Sequence, residues 1–274
     1  MSPVQDGHSE TVRMMPLDNS ILILVRIPKS GSTSVSLMVR KPFLVERTLA
    51  MGPSINPDAD LSLLQNLRIG IKTLKKRTKK YHAITIPQMQ RAIQAREQDL
   101  DLITGHIHYG FVKLKTKQPR HITVLRDPFS RAQSDYFYAK ERMVKKTGRN
   151  YYQSERLKIA ATQDFESYLS FLAEHEKSYA NSASRFIIGE SDFETAFDCL
   201  EKGFYHYGLL ENLPQFIEGL SQKTGLPDFE PVHARKSSKP QERIPVSGAE
   251  RRLIERLYDA DLECYEQARA KLQI

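Results

Sequence analysis

The segment Ile21–Ile27 reads Ile-Leu-Ile-Leu-Val-Arg-Ile, with no alternation of apolar and polar residues. A strand with one wet face alternates with a period of two. A continuous apolar run of this length belongs to a strand covered on both faces, the situation of a parallel sheet flanked by helices. The pattern recurs. Asp101–His106 (DLITGH) predicts a short strand ending in a glycine turn. His121–Pro128 (HITVLRDP) predicts a buried strand running into a helix, and Phe204–Leu213 (FYHYGLLENL) a strand and then a helix. Helical spacing predicts helices over Ser32–Arg40 and roughly Leu61–Lys76. A further C-terminal helix is expected to carry an apolar stripe of Leu253, Leu257, Cys264, Ala268 and Leu272. Strands alternating with helices give an α/β fold: a central parallel sheet with helices on both faces. Ligands of such sheets sit beyond the carboxyl ends of the strands.

No repeat or low-complexity linker divides the 274 residues. Residues 1–18 are expected to form a loose N-terminal arm and residues 19–274 a single domain. No apolar run approaches the ~20 residues of a membrane span, and the first sixteen residues lack the apolar core of a signal peptide. The expected location is cytoplasmic. Cys199 and Cys264 lie in no metal-ligand spacing and are expected to be buried thiols. The net charge of +8 favours an anionic partner without choosing among nucleic acid, membrane surface and a phosphorylated or acidic small ligand.

Two strand ends carry chemistry. After the first strand comes Pro28–Ser34 (PKSGSTS). Gly31 permits a tight turn and close backbone approach. Ser30, Ser32, Thr33 and Ser34 supply hydroxyls, and the uncapped amides and dipole of the following helix favour an anion. Lys29 adds a full charge. The lysine precedes the glycine, so the GxxxxGK[ST] pattern of nucleoside-triphosphate loops is absent, and one glycine suits one tetrahedral group. A serine-rich helix cap with an incidental lysine would read the same way. The second end, Leu125–Tyr138 (LRDPFSRAQSDYFY), counts against that reading. Arg126 closes a strand, Asp127 and Pro128 suit the N-cap and first helical position, and Ser134 follows about two turns on. Arg126 and Ser134 are expected to converge on a second phosphate. Arg131 either adds charge or pairs with Asp127 or Asp135.

These two motifs together resemble the 5′-phosphosulfate loop and the 3′-phosphate motif of the sulfotransferases, which use 3′-phosphoadenosine-5′-phosphosulfate (PAPS). Thr104–Phe111 (TGHIHYGF), Phe204–Phe216 (FYHYGLLENLPQF) and His233–Pro240 (HARKSSKP) are similar to segments of the heparan sulfate and uronyl 2-O-sulfotransferase branch. Asn181–Gly189 (NSASRFIIG) is similar to a segment of bacterial-type relatives, which lack the membrane anchor of the Golgi enzymes. The resemblance runs in order from about Ile21 to Ala268. It implies a P-loop-like sulfotransferase fold and a sulfuryl transfer from PAPS to an acceptor hydroxyl, on a carbohydrate or glycan-like substrate, with adenosine 3′,5′-bisphosphate (PAP) as product and no metal. It implies that Lys29, Ser30, Gly31, Ser32, Thr33 and Ser34 hold the 5′ end of the donor, that Arg126 and Ser134 hold its 3′-phosphate, and that Arg235, Lys236, Ser237 and Ser238 close over the nucleotide. Lys29 would neutralise the leaving oxygen. His106 would be the base, with His108 the other candidate for that role and otherwise in contact with the acceptor, and Arg185 would also bind the acceptor. His82, His121, His175 and His206 have no motif context and read as structural or surface residues.

The basic run from Arg68 to Lys80 is expected to be a solvated face or a contact for an acidic glycan acceptor. No nucleic acid is expected, and oligomeric state is left open. The alternatives are a kinase-like enzyme with a divergent phosphate loop, a nucleic-acid-binding protein, and a nucleotide-binding protein without sulfotransferase turnover.

Overall fold

The computed structural model describes residues 19–52, 70–71, 86–145, 154–226 and 244–274. In chain order its first elements are β1 (Ser20–Val25), α1 (Ser32–Arg40), β2 (Thr48–Gly52), β3 (Gly70–Ile71), α2 (Ile86–Ala95), β4 (Leu102–Gly105), β5 (Gln118–Leu125) and α3 (Pro128–Lys145). Then follow α4 (Glu155–Thr162), α5 (Phe165–Glu174), α6 (Glu176–Tyr179), α7 (Ser182–Ile188), α8 (Ala196–Gly203), β6 (His206–Leu209), α9 (Leu213–Thr224), α10 (Gly248–Leu257) and α11 (Asp259–Lys271).

The sheet order among the described residues is β3-β2-β4-β1-β5-β6. Strands β2, β4, β1, β5 and β6 are mutually parallel, and β3 is antiparallel to β2 at one edge. Every residue of β1 is buried, as an apolar run without alternation requires. Its side chains divide between the two faces. Leu22 and Leu24 pack with Val35, Met38 and Val39 of α1 and with Phe216 and Leu220 of α9. Ile21 and Ile23 pack with Met89 and Ile93 of α2 on the other side. Each such side chain contributes about 1.5–3 kcal/mol of burial. A separate apolar cluster joins α3, α4, α5 and α10 around Tyr168.

Two expectations are corrected. The helix expected over Leu61–Lys76 does not hold at Gly70 and Ile71, which pair antiparallel with Gly52 and Met51. Glycine is a poor helix former, and the open edge of β2 offers its backbone partners instead. The rest of that segment, the basic run included, lies outside the described residues, as does the arm of residues 1–18. The C-terminal stripe is not on one helix: the chain breaks at Tyr258, between α10 and α11. Asn181 stabilises the break from elsewhere in the chain. Its amide donates to the Leu257 carbonyl at 3.0 Å, and its Oδ1 accepts from the amides of Ala260 and Asp261 at 3.1 and 3.3 Å. Leu257 then belongs to the α3–α5 cluster, and Cys264 and Ala268 to a different one beside β6.

Cys199 and Cys264 are both free and buried. Among the described residues, no helix is long and apolar enough to cross a membrane.

Candidate functional site

The register of the sheet brings the sequence motifs together. Val25 stands opposite Gly105 on β4, and Leu24 opposite Ile122 on β5. The residues just beyond these strand ends are therefore neighbours. The Arg26 amide donates to the Gly105 carbonyl at 2.9 Å, and His106 Nδ1 lies 2.7 Å from the Arg26 carbonyl. On the other flank, Arg126 Nη1 donates to the Lys29 carbonyl at 3.0 Å. Thr123 Oγ1 donates to the Val25 carbonyl at 2.9 Å, pinning β5 to the end of β1. Residues 80 and 97 positions apart in the chain thus share one loop.

The loop has an unusual backbone. Lys29 and Gly31 both adopt left-handed conformations, with φ of 66° and 64°. Left-handed backbone is costly for lysine. At Gly31 the left-handed conformation favours glycine, and a Cβ there would displace the end of the Leu210 side chain. Gly31 is the N-cap of α1 and offers no capping side chain, and the first turn contains no acid. The amides there keep their affinity for an anion. The Ser30 hydroxyl, on a residue only 1 % exposed, has no hydrogen-bond partner among the described residues. Uncapped amides and an orphaned buried hydroxyl fit a tetrahedral oxyanion.

Cations surround the loop. The Lys29 ammonium lies 3.9 Å from the centroid of the Tyr138 ring. Burial pulls its pKa down to about 8. Asp135 and Glu141 oppose that fall, and Arg126 and Arg156 add to it. Asp135 accepts from Arg156 at 2.7 Å and from the Tyr168 hydroxyl at 2.8 Å. Burial would raise the Asp135 carboxyl, but Arg156, Tyr168 and Lys29 hold it below the usual range.

His106 is half-buried. A carbonyl only accepts, so Nδ1 carries the proton and Nε2 keeps its lone pair. Burial and then the charge of Arg26 lower the pKa, against the hydrogen bond to the Arg26 carbonyl, and leave it at about 4. The ring is neutral at pH 7 and has an acceptor nitrogen to offer. His108 has other neighbours. Its ring meets Phe111 edge-on at 5.2 Å, and its Nε2 lies 4.0 Å from Glu190. The end of α7 positions this segment: the Tyr109 amide donates to the Phe186 carbonyl at 2.8 Å, and Gly189 packs so closely on Tyr109 that a Cβ would strike its backbone.

Asp127 caps α3 as expected, accepting from the Ser130 amide at 2.9 Å, with Pro128 as the first helical residue. Ser134 is 9 % exposed on that helix. Arg131 pairs with neither Asp127 nor Asp135. It is 5 % exposed, reaches Asp261 at 2.5 Å and also bonds Ser182. Asp261 in turn accepts from the Ala183 and Ser184 amides at 3.2 and 2.7 Å, so Arg131 joins α3 to α7 and α11. Arg185 is tied to the Lys177 and Glu176 carbonyls at 2.8 and 3.4 Å. His121 and His206 are lowered to about 4, chiefly by burial, and His175 caps the Phe171 carbonyl. Arg235, Lys236, Ser237, Ser238 and His82 lie outside the described residues.

Sequence reasoning missed Arg26, Arg40, Tyr138 and Arg156. Arg26 is half-buried, its Nε has no acceptor among the described residues, and burial and then the Arg40 charge lower its pKa. Neither arginine has an ion pair among the described residues. A signal was present: β1 and β5 each run apolar and then place an arginine directly after the strand, Arg26 and Arg126.

Among the described residues, no group of three or more His, Cys, Asp or Glu residues is placed to hold a metal ion. Neither the protein-family models nor the curated proteins contain a match to the chain.

Proposed function

We propose that the chain is a sulfotransferase of P-loop-like fold, moving a sulfuryl group from PAPS to a hydroxyl of a carbohydrate acceptor. The observation that carries this reading is the convergence at β1: Arg126 bonded to the Lys29 carbonyl on one side, His106 to the Arg26 carbonyl on the other. The motif resemblance supports it independently. The α1 amides, Ser30 and Lys29 would hold the 5′ end of the donor, and Arg126 with Ser134 its 3′-phosphate. His106 Nε2 would take the proton of the acceptor hydroxyl as its oxygen forms the bond to sulfur. The bond from sulfur to the 5′-phosphate oxygen breaks, and Lys29 meets the charge that grows on that oxygen. Arg26 and Arg40, which have no ion pair among the described residues, would suit an acidic carbohydrate.

A second reading is nucleotide binding without turnover. Its supporting observation is that His106, held at about 4, is a weak base at rest. The test is incubation with PAPS labelled in the sulfuryl group and a panel of neutral and acidic oligosaccharides, with calorimetry of PAP and ATP alongside. Label on an acidic oligosaccharide, with PAP bound more tightly than ATP, is expected. Tight PAP binding without transfer to any acceptor favours the second reading, and ATP binding as tightly as PAP overturns the sulfotransferase reading.

A further inference from the structure

Lys29 makes no ion pair among the described residues; the face of Tyr138 is its partner. Tyr138 lies four residues beyond Ser134 and four before Arg142, so the three share one side of α3. Arg142 approaches the same ring, with its guanidinium carbon 5.3 Å from the centroid. The charged groups acting on the ammonium are Asp135 and Glu141 of α3, Arg126 just before that helix, and Arg156 of α4. The two acids are not in ion-pair contact with it. An acid in that place would neutralise Lys29 and compete with any anion entering the loop. An aromatic face attracts a cation without neutralising it, and more weakly than a full negative charge does.

We propose that Tyr138 is the positioning residue for Lys29: its ring holds the ammonium in the ligand-free protein and gives it up to an anion bound in the loop. This rests on the reading of Pro28–Ser34 as an oxyanion site.

The experiment is NMR of protein whose lysines carry ¹³C-dimethyl groups, with the Lys29 signal assigned by Lys29→Arg. An ammonium over the ring feels its ring current. The Lys29 signal is expected upfield in the free protein, unchanged in Tyr138→Phe and back at the ordinary position in Tyr138→Leu. Its titration midpoint should fall by about half a pH unit in Tyr138→Leu, because the ring favours the charged form. Saturation with inorganic sulfate should move the wild-type signal downfield. The proposal is overturned by an unshifted signal in the free protein, by a shift that survives Tyr138→Leu, or by a signal that sulfate leaves in place. A sulfate response together with ATP binding as tightly as PAP overturns the sulfotransferase reading and leaves this one standing.

Discussion

Two amide cradles sit at opposite ends of the parallel strands, one along the rim where the chain enters them and one along the rim where it leaves. Where the chain enters β5, the Glu97 carboxylate accepts from the amides of Lys115, Thr116 and Lys117 at 2.9, 2.7 and 2.6 Å, and from the Thr116 hydroxyl at 3.0 Å. Where the chain leaves β1, the first turn of α1 contains no acid, and its N-cap Gly31 offers no capping side chain. The neighbourhoods differ in the same sense. At the entry rim Arg47 pairs with Asp101, and Lys117 caps the Leu100 carbonyl at 2.9 Å. At the exit rim Arg26 and Arg40 have no ion pair among the described residues. The chemistry of the two cradles is alike: backbone donors gathered around a place for negative charge. One is filled by the chain itself and acts as a clasp. The other has no such occupant from its own turn.

The comparison breaks most visibly if the exit rim does no chemistry. His106→Ala should lower turnover by about 10²–10⁴-fold, the usual worth of a general base, with PAP affinity nearly intact. Because His106 is held near 4 rather than at the ordinary 6.5, the pH–rate profile should stay flat below 6.5 and fall only as pH approaches 4, where the protonated ring no longer accepts a proton. Steady-state rates of both proteins across pH 3.5–8, a range of about four and a half units, decide this. A break at 6.5 would mean the base is another group.

Next in size is the division of labour within the open cradle. Arg126→Ala should weaken PAP binding by about 1.5–3 kcal/mol, the worth of a charge-assisted hydrogen bond. Lys29→Ala should act mainly on the rate, because its charge matters most where the leaving oxygen gains negative charge. Equal losses of affinity in both variants, read by calorimetry, would remove the distinction.

The closed cradle should answer in stability instead. Glu97→Gln is expected to lower the unfolding free energy at pH 7 by about 1.5–3 kcal/mol and to leave PAP affinity alone. Burial would raise the Glu97 carboxyl, but the bonds from Lys117, Lys115 and Thr116 bring it down to about 2, from an ordinary 4.5. A carboxyl lowered by folding stabilises above its unfolded pKa. The difference between wild type and variant should therefore be constant above 4.5 and shrink as pH falls toward 2. Denaturant melts at several pH values measure it; a difference that does not change with pH would mean that Glu97 acts by shape alone.

The smallest effect expected is Gly31→Ala, at about 1–2 kcal/mol for left-handed backbone with a side chain. It should lower stability and PAP affinity together, because the same residue shapes the loop and abuts Leu210. Unchanged affinity would place the anion away from this turn.

What the sequence determined lies within a few residues of each signal. The run Ile21–Val25 is a strand because each of its side chains needs burial, and α1 begins at Ser32 because Gly31 allows the turn that starts it. Asp127 begins α3 by accepting from the amides two and three positions on, with Pro128 as the first helical residue. Tertiary structure decided the rest. Nothing local orders the strands, yet placing β1 between β4 and β5 is what sets His106 and Arg126 on one loop. Arg131 had two acids nearby in sequence and took Asp261, 130 positions away, because α11 brings that carboxylate into the same buried space. The break at Tyr258 depends on Asn181, and the strand at Gly70–Ile71 on the free edge of β2. A side chain's period or a cap is read over a turn or two of helix; partnership across the sheet depends on which apolar faces meet, and that is settled only when the whole chain is packed.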